Sequence, residues 1–123
     1  MVGLSYFLDT YAIIEIIKGN LNYARFIGET SFTSVFNLYE LYYLLLKDYG
    51  KDIAEKEFIK FKQNVIKISD ESIFRASQFR LENIKKHYSY TDCFGYVLSL
   101  ENDFIFLTGD DAFKGLKNVE FVK

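Results

Sequence analysis

Apolar and polar positions alternate along this chain between two periods, and the switches between them define the elements. "LSYFLD", residues 4 to 9, is a short apolar run ending in Asp9 and reads as a buried strand. "TYAIIEIIKGN" follows with Ala12, Ile13, Ile16 and Ile17 at helical spacing, and Gly19 stops it. "LNYARFIGE" reads as a short second helix and "SFTSV" as the next strand. "FNLYELYYLLLKDYG" is a long helix ending at Gly50, and "DIAEKEFIKFKQN" an amphipathic one with Ile53, Phe58 and Phe61 on one side. "VIKIS" reads as a third strand. "DESIFRASQFRLENIKKH" is a helix capped by Asp70 or Ser69, and "YSYTDCFGYVLSLEN" a helix with Thr91 as N-cap. "FIFLTGD" and "NVEFVK" supply two last strands. Strands and helices therefore alternate, which predicts an α/β fold with a mostly parallel sheet and helices on both faces. No repeat, linker or low-complexity segment divides the 123 residues, so one domain spanning 1–123 is expected.

Half the residues are hydrophobic, enough for a real core without disulfides. The one cysteine, Cys93, reads as a small core residue of a reducing compartment. As a nucleophile it would want a base, and the one histidine, His87, is a weak candidate. No apolar run approaches a membrane span, and the first residues lack the pattern of a signal peptide, so a cytoplasmic protein is expected. Ten Tyr and 13 Phe are more rings than one core stripe needs. Tyr39, Tyr42, Tyr43 and Tyr49 on one helix suggest a partner face and a homodimer.

Charge changes the picture most. Asp9 is the one charged side chain in residues 1 to 14, Glu40 in residues 31 to 46, and Asp92 in residues 88 to 100. Asp110 and Asp111 follow the apolar strand "FIFLT". An ionised carboxylate set among apolar side chains is costly without a partner. In a parallel sheet the ligand site lies beyond the strands' carboxyl ends, where Asp9 and Asp110 fall. Converging carboxylates repel, and a hard cation such as Mg²⁺ or Mn²⁺ relieves this; without a His or Cys cluster, zinc is not favoured. Setting the four acids aside leaves 13 acids against 15 Lys and Arg, so a formal charge of −2 conceals a basic remainder. Lys85, Lys86 and Lys114 are candidate contacts for a nucleic-acid backbone. Each acid also has a structural explanation: Asp9 as a helix cap, Asp92 at a helix dipole, Asp110 and Asp111 in a turn, Glu40 bonded to a tyrosine or lysine.

Taken together, "YFLDT" at the first strand, the lone Glu40, "YTD" at a late helix and the ending "FLTGDDAFKGLKNVEFV" resemble the PIN-domain family, in particular its VapC-like toxins. The resemblance covers the whole chain in order. It implies a three-layer α/β/α fold with about five strands. It also implies an Mg²⁺- or Mn²⁺-dependent ribonuclease cutting single-stranded RNA, the toxin of a type II toxin–antitoxin pair. The family's acidic quartet carries over onto Asp9, Glu40, Asp92 and Asp110 as catalytic and metal-holding residues. Thr10 and Thr108 match supporting threonines, and Asp111 is an extra acid beside the last. Tyr11 departs from the asparagine many members carry there. Glu40, in the most apolar setting, is expected to help move a proton. The alternative is a catalytically silent module on the same fold that binds RNA or protein. A haloacid-dehalogenase-type phosphatase would want an acid where Tyr11 stands, and a phospho-receiver domain would want paired acids before its first helix.

Overall fold

The computed structural model describes residues 3–123. Its centre is a parallel sheet of β1 (Ser5–Leu8), β2 (Thr30–Phe32), β3 (Ile105–Thr108) and β4 (Val119–Phe121) in the order β2-β1-β3-β4. β1 lies in register with both neighbours, Phe7 pairing with Phe32 on one side and Phe106 on the other. Side chains of successive strand residues point to opposite faces, so each face builds its own core. Tyr6, Leu8 and Leu107 pack beneath α1 (Thr10–Lys18), α2 (Val35–Tyr49) and α3 (Lys51–Lys62). Phe7 and Phe106 pack beneath α4 (Asp70–Glu82) and α5 (Tyr90–Glu101). Three layers result, as expected.

Among the described residues four strands form rather than about five. "VIKIS" makes a single bridge, Val65 to Thr33. Ile66 N donates to Thr33 O at 2.9 Å, but Lys67 and Ser69 are exposed and the chain turns at once into α4. "LNYARFIGE" is a 3₁₀ helix over Leu21–Phe26, because too few residues separate the Asn20 cap from Gly28 for a stable α-helix. Ser69, not Asp70, caps α4. The predicted run to His87 breaks after Glu82; a 3₁₀ turn spans Ile84–Lys86 and His87 stands at φ 58°. Ser89, not Thr91, caps α5, because Asp92 three residues on completes a capping box with it.

One contact places α5. A Cβ on Gly95 would stand 2.9 Å from the Phe7 ring and 3.1 Å from the Phe106 ring. The helix therefore lies directly on the two central strands, with Asp92 one turn earlier. Cys93 is buried in that core, as expected. On α2, Tyr39, Tyr43 and Tyr49 are exposed, whereas Tyr42 joins the core edge-on to Phe58. Among the described residues no helix is long and apolar enough to cross a membrane.

Candidate active site

β1 and β3 are neighbours, but the chain leaves β1 toward β2 and β3 toward β4, on opposite sides. That divergence opens a crevice at their carboxyl ends. A cleft of about 460 Å³ lies there, and Asp9, Glu40, Asp92 and Asp110 all line it. Four separate elements thus bring together the four acids singled out by their isolation in sequence.

Asp9 is the most buried of them, 5% exposed. It caps α1: its Oδ1 accepts from Ala12 N at 2.9 Å. Its Oδ2 accepts a short hydrogen bond from the buried Thr108 hydroxyl. The same hydroxyl accepts from Asp110 N at 3.0 Å, so one threonine at the end of β3 spaces two site acids. Asp110 Oδ1 accepts from Ala112 N at 3.0 Å, and Ala112 O accepts from the Tyr88 hydroxyl at 2.7 Å. Tyr88 leads directly into the Ser89–Asp92 capping box, in which Asp92 Oδ2 accepts from Ser89 N at 3.0 Å. The loops bearing Asp92 and Asp110 are therefore tied together.

Glu40 is held differently. It is half-buried on α2 rather than sealed among apolar side chains, and it faces the cleft. Its helix is pinned by a buried polar chain. The Ser34 hydroxyl donates to Asn37 Oδ1 at 2.6 Å, and Asn37 Nδ2 donates to the Thr10 hydroxyl at 3.1 Å. Asn37 lies one turn before Glu40 and Thr10 directly after Asp9, so this chain sets the two acid-bearing helices against each other.

Burial raises the Asp9 carboxyl to about 7; the Asp92 and Asp110 charges add to the rise, while the Thr108 and Ala12 hydrogen bonds oppose it. Asp92 is also raised, by burial first and then by Asp110, against its Ser89 bonds. These mutual effects mark carboxylates close enough to repel. Burial lifts the Cys93 thiol to about 11, which removes it as a nucleophile at neutral pH.

The PIN domain family profile matches residues 6–119. The chain belongs to the PIN domain family. No curated protein matches it by sequence. Its fold is similar to several solved structures. A chain of a toxin–antitoxin complex from Klebsiella pneumoniae has a TM-score of 0.74 at 17% identity, over 94% of this chain and 95% of that one. VapBC2 of Rickettsia felis, bound to a promoter DNA fragment, has 0.73 at 20%, over 97% and 98%. The sarcin–ricin-loop-cleaving toxin VapC20 of Mycobacterium tuberculosis has 0.74 at 17%, over 94% and 98%.

In this PIN domain the other expected residues divide. Thr10 lines the cleft and Thr108 lies beneath it. Asp111 is exposed and pairs with Lys123 at 3.2 Å, away from the lining. Lys85, Lys86 and Lys114 are exposed and outside the lining. Glu15, Lys18 and Tyr11 line the cleft without having been anticipated. Glu15 had a signal, a lone acid among isoleucines in "AIIEIIK". Lys18 places a cation in the cleft but makes no ion pair among the described residues. The Tyr11 ring lies against Gly109, where any Cβ would overlap it and the Val122 carbonyl oxygen.

The donors facing the cleft suit a hard cation: they are oxygens, and His87 and Cys93 are absent from the lining. Among the described residues no three acids gather closely enough, as they stand, to ligate one ion directly.

Proposed function

We propose that this PIN domain is a divalent-metal-dependent endoribonuclease acting on single-stranded RNA, and the toxin of a toxin–antitoxin pair. The observation that carries the reading is the convergence of Asp9, Glu40, Asp92 and Asp110 on one cleft, with Asp9 raised to about 7. Asp9, Asp92 and Asp110 would hold Mg²⁺ or Mn²⁺, directly or through water. The bound ion supplies positive charge against the phosphate and acidifies water at the site. Glu40, across the cleft on α2, accepts the proton that the attacking water gives up. Water adds to phosphorus, the P–O bond to the leaving oxygen breaks, and that oxygen takes up a proton from solvent. Lys18 offers the scissile phosphate a cation, and Thr10 keeps its hydroxyl proton free for the cleft because its oxygen already accepts from Asn37. Thr108 and Asn37 hold the acids in place.

The test is cleavage of a labelled single-stranded RNA with Mg²⁺, Mn²⁺ or EDTA. Wild type should cut only with metal, and Asp9→Asn should lower the rate on the order of 100-fold or more. Retained cleavage in Asp9→Asn would overturn the reading. Binding without cleavage would leave a silent RNA-binding module, and a stable aspartyl-phosphate from acetyl phosphate would point to phosphotransfer. The toxin–antitoxin partnership is supported by the complexes in which the similar folds occur. A single domain over the whole chain and a cytoplasmic setting accord with the reading. A homodimer through the exposed Tyr39, Tyr43 and Tyr49 face is the companion proposal, and a monomer by light scattering at micromolar concentration would refute it.

A further inference from the structure

One exposed ring lies outside both cores. Tyr90 is 70% exposed and belongs to neither core cluster. It stands between Ser89 and Asp92, both of which line the acidic cleft. One of its faces is covered: the Arg80 guanidinium carbon lies 4.1 Å from the ring centroid. Arg80 is fixed there because its Nε donates to Tyr88 O at 3.2 Å, and among the described residues it makes no ion pair. The backbone under Tyr90 is equally fixed. Tyr88 before it is buried and bonded to Ala112 O, and Ser89 and Asp92 cap each other.

An exposed aromatic flanked by cleft-lining residues, though itself outside the lining, with a planar cation that makes no ion pair among the described residues behind it, has the construction that single-stranded nucleic-acid sites use. Stacking there tolerates any base, since every base offers a π-face, and a preorganised ring loses little entropy on binding. Lys85 and Lys86, exposed in the preceding turn, supply charge for the flanking phosphates. We infer that Tyr90, backed by Arg80, is a platform on which one base of a single-stranded RNA stacks beside the cleft. This inference rests on the ribonuclease reading above. The competing explanation is that the pair only pins the end of α4 to the start of α5.

The experiment measures binding of a fluorescent single-stranded oligoribonucleotide in an Asp9→Asn background, with thermal melts of every variant. Tyr90→Ala should weaken binding by about 5- to 100-fold, while Tyr90→Phe stays within about two-fold. Phe74→Ala, which removes another exposed ring from the outer face of α4, should leave binding unchanged. An oligonucleotide abasic at the stacked position should bind weakly and lose its sensitivity to Tyr90→Ala. If Tyr90→Ala lowers the melting temperature but binds RNA as the background does, the pair is a structural clamp and the platform is refuted. If wild type neither binds nor cuts RNA, the ribonuclease reading fails, and the platform with it.

Discussion

Replacing Asp9 by Asn should make the metal-free protein more stable at pH 8 and change little in acid. Folding raises this carboxyl from 3.8 to about 7, chiefly through burial. The folded state therefore keeps a proton that the unfolded chain gives up between those values. Its stabilising contribution is complete below pH 4, is lost as pH climbs through 7, and is constant beyond. At about 1.4 kcal/mol per unit, the full loss is about 4 kcal/mol, of which more than half falls between pH 5 and pH 8. Asparagine does not titrate, and it imitates the protonated acid. In both, Ala12 N keeps an acceptor and Thr108 must turn from donor to acceptor. The wild-type-to-variant difference thus isolates the charge. For a chain of this size that part corresponds to roughly 10 °C in Tm. Melts in EDTA at pH 5 and pH 8 should show the variant's advantage growing by about that much. Millimolar Mg²⁺ should raise the wild type and not the variant. An advantage equal at both pH values, or a variant less stable at both, would refute the account of Asp9 as a buried acid strained by its charge.

Thr108→Val removes the donor to Asp9 and the acceptor of Asp110 N; melts should show a loss of about 1–3 kcal/mol, and with one lowering influence gone, Asp9 should titrate higher still. Gly109→Ala should cost about 2 kcal/mol or more in denaturant unfolding, and adding Tyr11→Ala should recover only part, because the Val122 carbonyl still blocks the new Cβ. Asn37→Ala should cut RNA cleavage about ten-fold or more, with a smaller change in RNA affinity, by loosening the Glu40 helix against Thr10.

The acids could be found without coordinates because their cost is local. A charge in an apolar run is visible wherever it occurs, and Asp9, Glu40, Asp92 and Asp110 each stood in one. Glu40 shows the limit of that signal. In sequence it is a charge enclosed by Val, Phe, Leu and Tyr, yet in the fold it is half-buried and open to the cleft. Asn37 went unnoticed because an uncharged amide three residues earlier has no obvious cost until Thr10, 27 residues away, is seen to accept from it. The Arg80–Tyr90 pair was hidden for the same reason: ten residues and a change of helix separate its members.

The alternation of strands and helices, the two-faced sheet and the isolation of the four acids were legible in the sequence, since periodicity and isolated charge are properties of neighbouring residues. Whether "VIKIS" would pair and whether four acids would meet depended on how strands are ordered and how closely α5 lies on Phe7 and Phe106 through Gly95. Those outcomes follow from contacts between distant segments. The shared proton-demanding burial of Asp9, with Thr108 between it and Asp110, exists only once β1 and β3 lie side by side.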